Sequence, residues 1–129
     1  MESFIVKRDN YINALQRLEE LLDDDINDVI IDAIIQRFEI TFELAWKTLK
    51  EYLALSGFVE GINSPKGTLQ TAFKAGIIIE GDIWIKMMES RNLTTHLYDY
   101  DTSRNIYDMI KNEYIQLLRD LKKCLEKIN

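Results

Sequence analysis

From about Asp28 to Leu55 one apolar stripe runs uninterrupted, and no other feature of the chain restricts its fold as tightly. Ile31, Ile34, Ile35, Phe38, Phe42, Ala45, Trp46, Leu49, Tyr52 and Leu53 recur with the helical period. The β-branched residues at its start would suit a strand. The period is not 2, however, and the run far exceeds a strand, so the spacing predicts a helix. Ser56-Gly57 supplies its stop. The whole chain is poor in turn residues, with one Pro and five Gly in 129 residues, which favours a few long helices over many short strands.

Four further segments follow the same logic. Phe4, Tyr11, Ile12, Leu15, Leu18, Leu21 and Leu22 fall at spacings of three and four, ended by Asp23-Asp24-Asp25. Asp25 or Asn27 can cap the long helix that follows. Ser64-Pro65 starts a short helix through Leu69, Ala72 and Phe73 that ends at Gly76. Gly81-Asp82 opens a helix with Ile83, Trp84, Met87 and Met88 on its buried face, leading into Arg91–Tyr98, RNLTTHLY. Asp101-Thr102-Ser103 is expected to cap a final helix, with Asp99 and Asp101 read as helix-cap and solvated residues, and the helix is striped by Ile106, Met109 or Ile110, Tyr114, Leu117, Leu118, Leu121, Cys124 or Leu125, and Ile128. Short connections between these elements predict an all-α fold: an antiparallel up-and-down four-helix bundle with one extra short helix. Residues 1–129 are expected to form a single domain, without repeat, linker or low-complexity tract.

Composition narrows the function. A single cysteine, Cys124, excludes an internal disulfide and a cysteine-based zinc cluster. One histidine and scattered carboxylates give no two-His helical pair and no calcium-loop spacing, so no metal is expected. No glycine-rich phosphate loop or G-x-S-x-G elbow occurs, and no cofactor is expected. The N-terminal MESFIVKRDNY is charged where a signal peptide is apolar, and no apolar run approaches the ~18 residues of a membrane span. The expectation is a cytoplasmic protein with no membrane partner. A net charge of −6, from 16 basic and 22 acidic residues, argues against nucleic-acid binding through bulk charge but leaves room for a local basic groove.

The chemistry-bearing residues concentrate around the sole histidine, His96, beside Arg91, Asn92, Thr94, Thr95 and Tyr98. Imidazole exchanges protons near neutral pH, and a guanidinium offers a planar, permanent charge suited to phosphate. Together they suffice for metal-free phosphodiester chemistry, although a lone histidine at a helix end can equally cap or pack. On a straight helix at about 100° per residue, Arg91 and His96 stand about 140° apart. A shared site therefore requires an irregular helix or two copies facing across a groove. On the long helix Glu39, Glu43 and Lys47 share a polar face, with Glu43 and Lys47 ordered for an i,i+4 ion pair. That face is either a solvated salt-bridged surface or a wall of the groove opposite His96, and Arg37 is similarly open.

R-N-L-T-T-H-L-Y resembles the R-x-x-x-x-H-x-Y motif of HEPN-domain proteins, small helical bundles encoded beside a minimal nucleotidyltransferase. The run QRFEITFELAWKTLKEYL and the phrase RNLTTHLYD resemble one branch especially, the nucleotidyltransferase substrate-binding proteins, and the likeness extends over about residues 4 to 125. The resemblance implies two alternatives. The first is a toxin-type, metal-independent endoribonuclease acting on RNA, with Arg91 and His96 catalytic and Asn92, Glu43 and Lys47 supporting. In that alternative the cognate nucleotidyltransferase neutralises it by adding AMP to Tyr98. The second is a non-catalytic substrate-binding or adaptor subunit of a two-component nucleotidyltransferase. Both imply that nucleotidyltransferase as partner, and a homodimer is expected in either case.

Overall fold

The computed structural model describes residues 1–96 and 99–128. Its elements in chain order are α1 (Glu2–Leu22), α2 (Asp28–Leu55), α3 (Pro65–Lys74), α4 (Gly81–Leu93), a 3-10 turn (Thr94–His96), α5 (Tyr100–Met109), a π-helical turn (Ile110–Tyr114) and α6 (Ile115–Glu126). The described residues contain no strand. α1, α2, α4 and the continuous α5–α6 rod form the antiparallel four-helix bundle, and α3 is the extra short helix.

Local chemistry sets the helix ends. The Asn27 side chain accepts a hydrogen bond from the Ile30 backbone N–H at 2.9 Å, so Asn27 rather than Asp25 caps α2. Ser64 Oγ accepts from Gly67 N at 3.1 Å, with Pro65 at the first helical position of α3, where its missing N–H costs nothing. Past α2 the chain turns at Gly57, whose φ of +97° a side chain would resist.

Two features shape the last helix. Its cap is Asp99, which accepts from Thr102 N at 2.7 Å and Thr102 Oγ1 at 3.0 Å, while Asp101 sits exposed in the first turn. The two hydrogen bonds, the backbone one first, hold the Asp99 carboxyl below its ordinary range. The helix also widens into a π turn at Ile110–Tyr114. With that turn in place Ile110 and Leu125 enter the core, while Met109 and Cys124 stay half-buried.

The core is continuous along the bundle axis. α1 and α2 make the most extensive contact, joined to α6 by Tyr11, whose fully buried hydroxyl donates to Leu118 O at 2.6 Å. Phe38 of α2 stacks on Tyr114 of the π turn, with centroids 5.7 Å apart and planes 16° from parallel. Trp46 and Tyr52, which the apolar stripe of α2 includes, are only half-buried at its margin. No helix among the described residues is long and apolar enough to cross a membrane.

Candidate active site

The sequence RNLTT ends its own helix. Thr94 Oγ1 donates to Arg91 O at 2.6 Å, and Thr95 Oγ1 donates to Asn92 O at 3.1 Å. Hydroxyls that bond carbonyls three residues back compete with the α-helical ladder, and the chain tightens at Thr94 into a 3-10 turn reaching His96. The straight-helix relation between Arg91 and His96 therefore stops at Thr94, and the backbone irregularity that is one of the two routes to a shared site is present.

Arg91 occupies the last turn of α4 with its side chain 22% exposed. Its Nε lies 3.3 Å from Glu43 Oε1 on α2, an ion pair whose alignment falls short of a hydrogen bond and leaves that shielded nitrogen without an acceptor. No hydrogen bond among the described residues engages its two terminal nitrogens. Glu43 is a hub. Its Oε2 also accepts from Trp46 Nε1 at 3.2 Å and lies 3.8 Å from Lys47 Nζ. Three of the expected site residues, Arg91, Glu43 and Lys47, thus meet where α4 crosses α2, and the i,i+4 pair expected on α2 is formed.

The remaining expectations divide. Asn92 is exposed beside Arg91, and its carbonyl rather than its side chain is engaged. The backbone of His96 closes the 3-10 turn, whereas its imidazole lies outside the described atoms, and Tyr98 lies outside the described residues. Arg37 does not join the site, because its Nη1 donates to Arg17 O on α1 at 2.6 Å. Among the described residues no group of three His, Cys, Asp or Glu side chains could hold a metal ion.

Sequence spacing missed the support behind Arg91. Ser90, 5% exposed, shares a 2.7 Å hydrogen bond with the hydroxyl of the buried Tyr114, which also reaches Lys86 O at 3.3 Å. This pair ties the end of α4 to the π turn. Burial pushes the Tyr114 phenol up, an effect that the Ser90 hydrogen bond only partly offsets, so the hydroxyl stays protonated through neutral pH. A serine next to the motif arginine was visible in the sequence; its partner on another helix was not.

Residues 7–127 match the family described as nucleotidyltransferase substrate binding protein like. A Haemophilus influenzae protein named Probable ribonuclease HepT is 30% identical over 104 residues, covering 76% of this chain and 71% of the relative. A crystal structure from Thermus thermophilus superposes with a TM-score of 0.81 at 36% identity, covering 89% of this chain and 98% of that one. A second structure, from Haemophilus influenzae, is reported to reveal the fold of a substrate binding domain of a nucleotidyltransferase. It has a TM-score of 0.81 at 25% identity and covers 92% of this chain and 98% of its own.

Proposed function

Since the chain belongs to the nucleotidyltransferase substrate-binding protein family and carries the HEPN motif, we propose that it partners a minimal nucleotidyltransferase and cuts RNA without a metal until that partner silences it. The observation that carries this reading is the terminal fork of Arg91, free of hydrogen bonds among the described residues and anchored through Nε on Glu43 one 3-10 turn before His96. A guanidinium held this way suits the charge that builds on a phosphate under attack. The His96 imidazole would take the proton of a ribose 2′-OH as its oxygen attacks the phosphorus, or return a proton to the departing 5′-oxygen.

One imidazole per chain covers one of those two transfers at a time. A homodimer bringing two RNLTTHLY segments together would supply the second and double the local positive charge. Ile40 on α2 and Leu93 and Tyr100 around the motif are exposed apolar residues available to such a contact. Asn92 would help to hold the phosphate, and Lys47 would add charge to the groove wall. AMP on Tyr98 would place a bulky anion beside the site and repel RNA.

The chain expressed alone, compared with His96→Ala and Arg91→Ala, tests this directly. Wild type should arrest growth and degrade RNA, and each variant should cut at least ~100-fold more slowly. A wild-type chain that is harmless and leaves RNA whole sinks the proposal. Incubation with the nucleotidyltransferase and ATP should add the mass of AMP to wild type and none to Tyr98→Phe. One observation favours a second reading, a non-catalytic adaptor: the Glu43 carboxylate partly neutralises Arg91 on a chain of net charge −6. On that reading the partner enzyme binds, but RNA survives.

A further inference from the structure

The net charge of −6 hides a basic groove. Where α1 packs along α2, a groove of about 420 Å³ is lined by Lys7, Trp46, Lys47, Lys50, Glu51 and Ala54. Trp46, Lys47, Lys50 and Ala54 follow the helical spacing, so they share one face of α2, and Lys7 reaches that face from α1. Glu51 holds Lys7 in place at 2.6 Å and accepts from Ser3 at 2.9 Å. Lys47 shares Glu43 with Trp46 and Arg91. Lys50 has no carboxylate within ion-pair distance among the described residues. Three lysines and one half-buried indole thus line a single groove, and the indole is held by its bond to Glu43.

This pairing of features selects the ligand. An anion alone gains nothing from an indole on the wall, and an aromatic ligand alone gains nothing from three lysines. A nucleotide in a single strand uses both, because its base stacks on an aromatic face while its phosphates track the positive charge. Glu43 fixes where the groove lies relative to Arg91, since its two carboxylate oxygens face Arg91 and Trp46 respectively. From Glu43 to Lys50 the helix advances about 10 Å, longer than the ~3.4 Å between stacked nucleotides of one strand.

We propose that the α1–α2 groove is a single-stranded RNA subsite, in which a base stacks on Trp46 and the neighbouring phosphates are held by Lys50, Lys47 and Lys7. The inference rests on the ribonuclease reading for its choice of RNA, and it assigns the groove to the strand flanking the scissile phosphate.

The test uses the full chain and a short 2′-O-methyl oligouridylate, which lacks the attacking hydroxyl and stays intact. Trp46 and Trp84 are the two tryptophans, and Trp84 is 1% exposed, so under tryptophan-selective excitation a saturable change in emission reports the groove. Wild type should show that change. Lys50→Ala should weaken binding several-fold and lower the slope of log affinity against log salt by about 0.7. Trp46→Phe should abolish the emission change, and Trp46→Ala should weaken binding at least about fivefold. Lys50→Ala keeps the test independent of core packing, because that side chain is half-exposed and unpaired among the described residues. No binding, or binding that leaves Trp46 emission and the Lys50 variant unchanged, overturns the proposal. The two readings fail separately. If groove variants lose the oligonucleotide but wild type never cuts RNA, the subsite stands and the ribonuclease reading falls. If wild type cuts RNA and Lys50→Ala cuts it with unchanged KM, the subsite falls and the ribonuclease reading stands.

Discussion

Removing the hydroxyl of Tyr114 probes the link between the π turn and the end of α4. Tyr114 is fully buried, and its oxygen lies 2.7 Å from Ser90 Oγ and 3.3 Å from Lys86 O. Tyr114→Phe strands the Ser90 hydroxyl in a site that is 5% exposed, which should cost about 1–2 kcal/mol. Ser90→Ala should cost less, about 1 kcal/mol, because the phenol keeps the Lys86 carbonyl. Tyr114→Phe removes the Ser90 hydroxyl's partner, Ser90→Ala removes one of the phenol's two, and the double variant leaves neither hydroxyl to satisfy. The double variant should therefore be more stable than the sum of the two losses implies, with a coupling of about 1 kcal/mol. Urea unfolding of the four proteins measures it, with an unchanged m-value certifying a common denatured state. In thermal melts each 1 kcal/mol should appear as roughly 3–5 °C. Because burial keeps the phenol protonated, the coupling should be the same at about pH 6 and about pH 8. Strictly additive losses, or a Tyr114→Phe variant as stable as wild type, would show that the two hydroxyls do not hold α4 to the π turn.

Two further outcomes follow from particular contacts. Gly67→Ala would ordinarily stabilise a helix by up to ~1 kcal/mol, but here the new Cβ would overlap the Gly61 carbonyl oxygen. Calorimetry should instead find a loss of about 1–3 kcal/mol, and a gain would mean that the 61–64 connection yields freely. Hydrogen bonds from Lys7 and Ser3 hold the Glu51 carboxyl below its ordinary value of 4.5. A depressed carboxylate contributes stability above its unfolded pKa and loses it as pH falls through the folded one. Glu51→Gln should therefore be less stable than wild type at neutral pH, with the gap closing below about pH 4. A gap that stays constant into acid would rule out the Lys7 pairing as its source.

The amino-acid sequence determined everything here that depends on near neighbours along the chain. Helical period and Gly–Pro scarcity set the elements, Asn27 and Ser64 set two starts, and Thr94 and Thr95 end α4 with hydroxyls that reach only three residues back. The Glu43–Lys47 pair belongs to the same class, since its geometry is that of a single helix. Even the family was legible, because the motif and the second-helix run are contiguous strings. Only the tertiary structure decided which of two adjacent apolar residues turns inward after the π turn. It also decided that Arg37 serves α1 instead of the site. The same holds for Glu43 against Arg91, Ser90 against Tyr114 and Lys7 against the Trp46 face. The physical reason is common to these cross-helix contacts: they depend on the axial register and rotation of packed helices. The whole core fixes those two quantities, and no local spacing encodes them.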